Sequence, residues 1–356
     1  MTGLTLFLAL TLLNLSAEPL PAKFAKRDRN KDGKLSREEV PASFAKFKFA
    51  QADRNKDGLL DAMELERVAK KLANKEETTS SEPVDPVVPK ADAIRVFPDI
   101  IYRKDPKDTK GWNKLDLYLP KTKGFATLIW IHGGGLHSGD KSKITPVAKR
   151  FVAEGYGVAS INYRLYPQAK YPTQIQNVAE AFAWVHGNIA SKGGDSNLIF
   201  VAGGSAGGHL TALLATNDSF LKQHGLKSNA ISGAIPISGL MDVSRVGAER
   251  RRGIWGDDPK IHRAASPLHH AHKNAPPMLL LHAEHDTADR RTQNQEIFNA
   301  LKKAQHPDVA IHELKNRTHN SIRPNLVGRG DPGARLILAF LRKHGADKGS
   351  LPKAKK

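Results

Sequence analysis

The stretch Val201-Ala-Gly-Gly-Ser-Ala-Gly-Gly-His-Leu210 sets one serine among four glycines directly after the apolar run Leu198-Ile-Phe-Val201. Within it, Gly203-Gly-Ser205-Ala-Gly207 fits the turn in which a serine is held exposed between a strand and a helix, poised as a nucleophile for acyl transfer. The flanking glycines are required because a Cβ there would strike the neighbouring strand or helix. A helix starting after Ser205 and running toward Ala215 would aim its first amides at charge building on a reacting oxygen. A second glycine run, His132-Gly-Gly-Gly135, follows the apolar run ending at Ile131 and has the form that supplies further oxyanion amides. Gly134, Gly135 and Ala206 are thus the candidate oxyanion donors. Phosphate cradling fits poorly, since a Walker loop ends in Gly-Lys-Ser/Thr and here His209 follows the glycines.

A different chemistry is written twice near the N-terminus. Asp28-Arg-Asn30-Lys-Asp32-Gly33-Lys34-Leu-Ser36-Arg-Glu-Glu39 recurs as Asp53-Arg-Asn55-Lys-Asp57-Gly58-Leu59-Leu-Asp61-Ala-Met-Glu64. Each carries oxygen donors at positions 1, 3, 5 and 9, a backbone carbonyl at 7 (Lys34, Leu59), glycine at 6 for the sharp turn and glutamate at 12. Calcium, a hard cation taking six to eight oxygens, is the ligand this pattern suits. Only Val40 to Ala52 separates the loops, room for one helix of about 20 Å at 1.5 Å per residue, with Pro41 in its first turn. Residues 20–72 resemble the compact EF-hand pairs of exported bacterial proteins, including the dockerin-like arrangement. That resemblance implies a small all-α calcium module with a structural or docking role, and a docking partner.

The elements that must position Ser205 begin near Ile94. Apolar runs Ala126–Ile131, Gly157–Asn162, Leu198–Ala202, Ala230–Ile237, Met278–His282 and Val309–Leu314 alternate with amphipathic segments such as Gln174–Ala190. Such alternation predicts an α/β domain: a doubly wound, mostly parallel sheet with helices on both faces and its chemistry beyond the carboxyl ends of the strands.

Composition bounds the rest. The 356 residues, 40% of them hydrophobic, can bury more than one core. No cysteine is present, which excludes a thiol nucleophile, a disulfide scaffold and a cysteine zinc site. Net charge is +19, and residues 92–356 hold 39 Lys+Arg against 22 Asp+Glu. This field favours anionic partners, although no nucleic-acid motif accompanies it and none is expected as a partner. The apolar run Leu4–Leu15 reads as a signal peptide over residues 1–17, too short for a confident span, so the mature chain is expected to be secreted or periplasmic without a stable membrane span. Residues 73–93, rich in Pro, Ser, Thr and Glu, read as a linker, and 346–356 as a basic tail.

With Ile131-HGGGLHSGDKS142, Ser160-INYRLYPQAKYP172 and Gly203-GSAGGHL210, residues 94–345 resemble the α/β-hydrolase superfamily, in its HGGG esterase and lipase branch. They are most similar in feel to carbohydrate acetyl and feruloyl esterases. The order Ser, acid, His of that superfamily implies Asp286, after the strand at Met278, as the acid, with Glu284 and Asp289 as rivals, and His319 as the base. It implies hydrolysis of short acyl or feruloyl esters on polysaccharide through a Ser205–His319–Asp286 triad, with no catalytic cofactor. An arylformamidase-like amidohydrolase, or a calcium-dependent binding protein with an inactive hydrolase domain, are the alternatives. His132 reads as a brace for its own loop, and His269-His-Ala-His272 lacks a carboxylate at ligand spacing. Leu136 stands where these relatives carry an aromatic residue, and Gly239–Pro276 is short and polar, with no large lid evident.

Overall fold

The computed structural model describes residues 20, 22–40, 49–53, 55–68, 94–106 and 108–346, and the chain divides into compact units at 1–80 and 81–356. The leader, Pro41, the linker 73–93 and residues 347–356 lie outside the described residues. Among those described, no helix is long and apolar enough to cross a membrane.

In the N-terminal unit the two acidic loops turn alike. Gly33 and Gly58 take φ of 79° and 82°, the left-handed region that a side chain resists, and Lys31 and Lys56 take 59° and 60°. The loops meet in a two-residue antiparallel ladder, β1 (Leu35–Ser36) with β2 (Leu59–Leu60), an addition to the helices expected there. Phe24, Val40, Phe49 and Leu65 bury against Leu35 and Leu60, so the position-8 leucines of both loops anchor one small core. Of the helix expected between the loops, the described part is Phe49–Ala52.

The C-terminal unit is an eight-stranded sheet. Six strands are parallel: β5 (Phe125–Ile131), β6 (Gly157–Ile161), β7 (Gly194–Gly204), β8 (Gly233–Ile237), β9 (Met278–His285) and β10 (Val309–Thr318). Two antiparallel strands, β3 (Ile94–Ile101) and β4 (Lys114–Pro120), extend one edge. These two add to the strands expected from apolar runs, because β4 intersperses Lys114, Asp116 and Tyr118 among its apolar residues. By contrast β5, β6 and β8 are buried along their whole lengths, as strands covered on both faces must be. One face packs Ile129, Phe182 and Leu213, the other Trp130, Phe151 and Phe340.

Along the sheet the strand order is β10-β9-β8-β7-β5-β6-β4-β3: the chain starts at the β3 edge, passes from β4 across to β5, steps back to β6 between them, then crosses to the other side of β5 as β7. Strand order therefore reverses between β5 and β7, and a crevice opens beyond their carboxyl ends. His132-Gly-Gly-Gly135 follows β5 and Ser205 follows β7, so both glycine runs open onto this crevice.

Candidate active site

Ser205 sits at φ 58°, ψ −117°, between β7 and the helix Ala206–Thr216. This conformation is costly for a residue with a side chain, and its surroundings hold it there. The Ser205 amide donates to the Ile237 carbonyl at 2.8 Å, tying the turn to β8. Glycines supply the remaining clearance. A Cβ on Gly207 would run into the Ile131 carbonyl, and one on Gly133 would lie 2.7 Å from the Gly204 carbonyl. The strand, the elbow and the HGGG loop therefore approach at backbone distance.

The three residues singled out for nucleophile, base and acid come together. Ser205 Oγ lies 2.9 Å from His319 Nε2, and His319 Nδ1 lies 2.6 Å from Asp286 Oδ1. The Asp286 side chain is fully buried, while His319 is one-third exposed. Burial alone would raise the Asp286 pKa, but hydrogen bonds from His319, Ser238 Oγ and the Ala283 amide outweigh it and hold the carboxyl below its ordinary value. The rival carboxylates point elsewhere: Glu284 binds Lys315 Nζ and the Asn316 amide, and Asp289 pairs with Arg245 and Gln293.

The amides of Gly134 and Gly135 have no internal acceptor among the described residues, and Ala206 heads a helix whose first amides have none. Gly134 and Gly135 take φ of 112° and 69°, and the Gly134 carbonyl turns back into the loop to accept from the His137 and Ser138 amides. His132 braces the loop from below. Its Nδ1 reaches the Gly133 carbonyl at 2.7 Å, its ring stacks on Tyr163 at 4.3 Å, and burial pushes its pKa down to about 4, so the ring is neutral.

Three contacts were not foreseen from the sequence. Ser238, at the end of β8, donates to Asp286 Oδ2 at 2.6 Å. Arg290 Nη1 donates to the Ser238 carbonyl at 2.8 Å, and Arg250 Nη2 to the Gly135 carbonyl at 2.9 Å. Ser238 carried a usable signal, since it directly follows a parallel strand, and so did Arg290, four residues after Asp286; Arg250 carried none, because it reaches the site from a helix remote in sequence from every triad residue.

Two openings flank the hydroxyl. A narrow pocket of about 10 Å³ is walled by Leu136, His209, Leu240 and Trp255, with Arg250 and Arg290. A wider cleft of about 540 Å³ is lined by the HGGG glycines, Lys143, His319, Asn320 and Arg323. The segment Gly239–Pro276, short and polar as read, folds into the helices Ala248–Trp255 and Pro259–Ala265 and so supplies one wall of the smaller pocket. The three histidines of His269-His-Ala-His272 engage elsewhere: His270 and His272 bind the Ala264 and Thr216 carbonyls, and His269 meets Arg263.

In the N-terminal unit, Asp28 accepts from the Gly33 amide and Glu39 folds back to accept from the Arg29 and Ser36 amides; Asp53 and Glu64 repeat this with Gly58, Asn55 and Asp61. Asn30, Asp32, Ser36, Asn55, Asp57 and Asp61 lie on the same loops, with the Lys34 and Leu59 carbonyls at position 7. The donor set suits a hard cation, and Asp53 Oδ1 is buried without a hydrogen-bond partner. Among the described residues, no group of three His, Asp or Glu is already gathered into a metal cage.

Comparison with known proteins agrees with this architecture. Esterase LipQ of Mycobacterium tuberculosis is 34% identical over 245 residues, covering 63% of this chain and 58% of its own length. Esterase LipC of the same organism is 30% identical over 264 residues, covering 68% and 64%. The chain thus spans about six-tenths of the length of these relatives. A solved structure described as a truncated form of carbohydrate esterase from gut microbiota superposes with a TM-score of 0.63 at 20% identity, covering 73% of this chain and 99% of that one, and shows the shared α/β-hydrolase fold. The EF-hand model matches residues 22–40 and 48–69, which marks the N-terminal unit as an EF-hand domain. The BD-FAE model matches residues 115–301, more than half of the chain, and the chain belongs to the BD-FAE family of α/β-hydrolase domains.

Proposed function

We propose that the chain is a serine carboxylic ester hydrolase. The observation that carries this reading is the unbroken hydrogen-bonded line Ser205–His319–Asp286, ending at a cleft beside three amides without internal acceptors. Ser205 Oγ attacks the ester carbonyl as its proton passes to His319 Nε2, while Asp286 fixes the tautomer and stabilises the imidazolium. The amides of Gly134, Gly135 and Ala206 hold the oxyanion, each contributing on the order of 3 kcal/mol to lowering the barrier. Collapse expels the alcohol, which takes the proton from His319. Water then attacks the acyl-enzyme, gives its proton to His319, and the acid leaves as Ser205 regains its hydrogen.

The proposed substrate is an acylated polysaccharide, a reading supported by the excess of positive charge in residues 92–356 and by the likeness to a carbohydrate esterase. The narrowness of the smaller pocket favours a short acyl group over a feruloyl one. The EF-hand unit is read as a structural calcium module that offers a docking surface, with Asp28, Asn30, Asp32, Lys34, Ser36 and Glu39 holding one ion and Asp53, Asn55, Asp57, Leu59, Asp61 and Glu64 the other. Export by the leader completes the proposal.

Hydrolysis of 4-nitrophenyl acetate by the mature protein beside its Ser205→Ala variant tests the chemistry. Activity that falls by roughly four or more orders of magnitude in the variant supports the triad. Equal inertness of the two proteins toward this ester, with turnover of formyl-kynurenine, would turn the reading to an amidohydrolase. Inertness toward both would leave a binding protein.

A further inference from the structure

The two pockets beside Ser205 have different jobs. His319, which must hand its proton to the departing alkoxide, lines the wide cleft and not the small pocket. The wide cleft therefore takes the alcohol part of the ester and the small pocket takes the acyl part. This assignment rests on the esterase reading above.

The acyl pocket is an unusual place for a plain acetyl or alkyl chain. Of its wall residues, Leu136, Leu240 and Trp255 are apolar, but two guanidinium groups also face it. Arg250 and Arg290 each make one hydrogen bond, to the Gly135 and Ser238 carbonyls. A guanidinium has five N–H donors, so most of each fork is left without an internal partner among the described residues. Neither arginine has a carboxylate within ion-pair distance among those residues. Elsewhere the same chain pairs its arginines: Arg245 with Asp289 and Glu296, and Arg317 with Asp331. Desolvation and the nearby Arg290 charge both lower the Arg250 pKa; Arg290 is likewise lowered by desolvation, with Asp286 and Asp289 offsetting part of its charge from a distance. His209, the third titratable wall group, is neutral, its pKa pushed down to about 4 chiefly by burial. Arg250 is exposed and Arg290 half-buried, so the free donors of both forks are open to an incoming anion, and two like charges side by side favour one.

We infer that the acyl pocket selects acyl groups ending in a carboxylate, so that the preferred substrates are half-esters of short dicarboxylic acids, with Arg250 and Arg290 binding the free carboxylate as Ser205 attacks the ester carbonyl. Arginine suits this task because its planar fork matches a carboxylate with two parallel hydrogen bonds. The two arginines hold the carbonyls of an oxyanion residue and of the residue that orients Asp286, so occupancy of the pocket and alignment of the site share the same side chains.

The test compares monoethyl succinate with ethyl valerate, a neutral ester of similar length, by proton release in a pH-stat at neutral pH. The wild-type protein should show a kcat/KM ratio, charged over neutral, of at least about tenfold. Arg250→Gln and Arg290→Gln should each lower that ratio by about tenfold, with Arg→Lys at either position intermediate because the charge remains and the fork does not. A wild-type preference for the neutral ester, or variants that slow both esters in equal proportion, would reduce the arginines to backbone braces and overturn the inference. A second readout is independent of turnover and of any variant at the arginines. Titration of the Ser205→Ala protein with succinate should give saturable quenching of tryptophan fluorescence, Trp255 being a wall residue, and butyrate should not. Succinate binding in a protein that hydrolyses no ester would keep the anion pocket and remove the esterase reading; absence of succinate binding would remove the pocket.

Discussion

Ser238 donates its hydroxyl hydrogen to Asp286 Oδ2 at 2.6 Å from the end of the neighbouring strand, so the carboxylate that faces His319 with one oxygen is clamped by the other. Ser238 acts on the reaction only through Asp286 and is a positioning residue. Replacing it with alanine leaves one fewer donor on a buried carboxylate. We expect kcat of Ser238→Ala to fall about tenfold, equivalent to ~1.4 kcal/mol, with KM little changed. Ser238→Gly, which removes the hydroxyl while suiting the φ of 48° at this position, should show the same loss and so separate the missing donor from backbone strain. An unchanged kcat in the alanine variant would show that His319 and the Ala283 amide suffice to orient Asp286.

Asp286→Asn should preserve the fold and cost on the order of 10⁴ in kcat, because an amide nitrogen beside His319 Nδ1 favours the wrong tautomer. Glu284→Gln and Asp289→Asn should each stay within about twofold of the parent, as both carboxylates are committed to surface partners. A large loss from either would move the acid away from Asp286. Steady-state kinetics on one aryl ester across the three variants decides the matter.

The reaction centre was legible in the sequence because its demands are local. Ser205, the HGGG loop and the two acidic turns are fixed by glycine placement at a strand end or a tight turn, where few other residues can go. Asp286 and His319 were reached only through resemblance and chain order, since no short spacing joins residues 33 apart in two strand-end loops. The pocket walls were barely legible. Arg250 and Trp255 lie on a helix that reads as a polar surface segment, and their convergence with Arg290 and Leu136 is a product of sheet order rather than of any local pattern. The same holds for β3 and β4, whose mixed polar composition hid an antiparallel edge.

Acid should weaken the fold through two buried histidines. His132 and His209 are 1% and 2% exposed, and burial pushes both pKa values from the ordinary 6.5 to about 4. The unfolded chain binds these protons below about pH 6.5 and the folded chain holds them off until about pH 4, so stability falls as pH drops through that window. Each site accounts for about 3 kcal/mol over the full window, a large share of an ordinary domain's ~5–15 kcal/mol. Urea midpoints at pH 7, 5.5 and 4.5 should decline accordingly, and His209→Asn should flatten the decline by about half. A midpoint independent of pH in this range would refute the assignment.

Calcium and catalysis should separate. Chelation should expose residues 20–72 to limited proteolysis while ester turnover stays within about twofold, because no step of the proposed reaction uses the EF-hand carboxylates. Isothermal titration of the full chain should count two calcium ions, and Asp53→Ala should leave one. A large drop in turnover on chelation would show that the two units are functionally coupled.

Gly133, Gly203 and Gly207 bring β5, the HGGG loop and the elbow so close that each lacks room for one methyl group beside a neighbouring carbonyl. The coordinates of the nucleophile and its oxyanion donors are thereby written in main-chain atoms, while the substrate is met by side chains on helices outside the sheet. Reaction and recognition thus meet at few points, chiefly where Arg250 and Arg290 reach the Gly135 and Ser238 carbonyls. Trp255 can be exchanged to reshape the pocket without moving Ser205, whereas a single added carbon at Gly207 would displace the centre for every substrate at once.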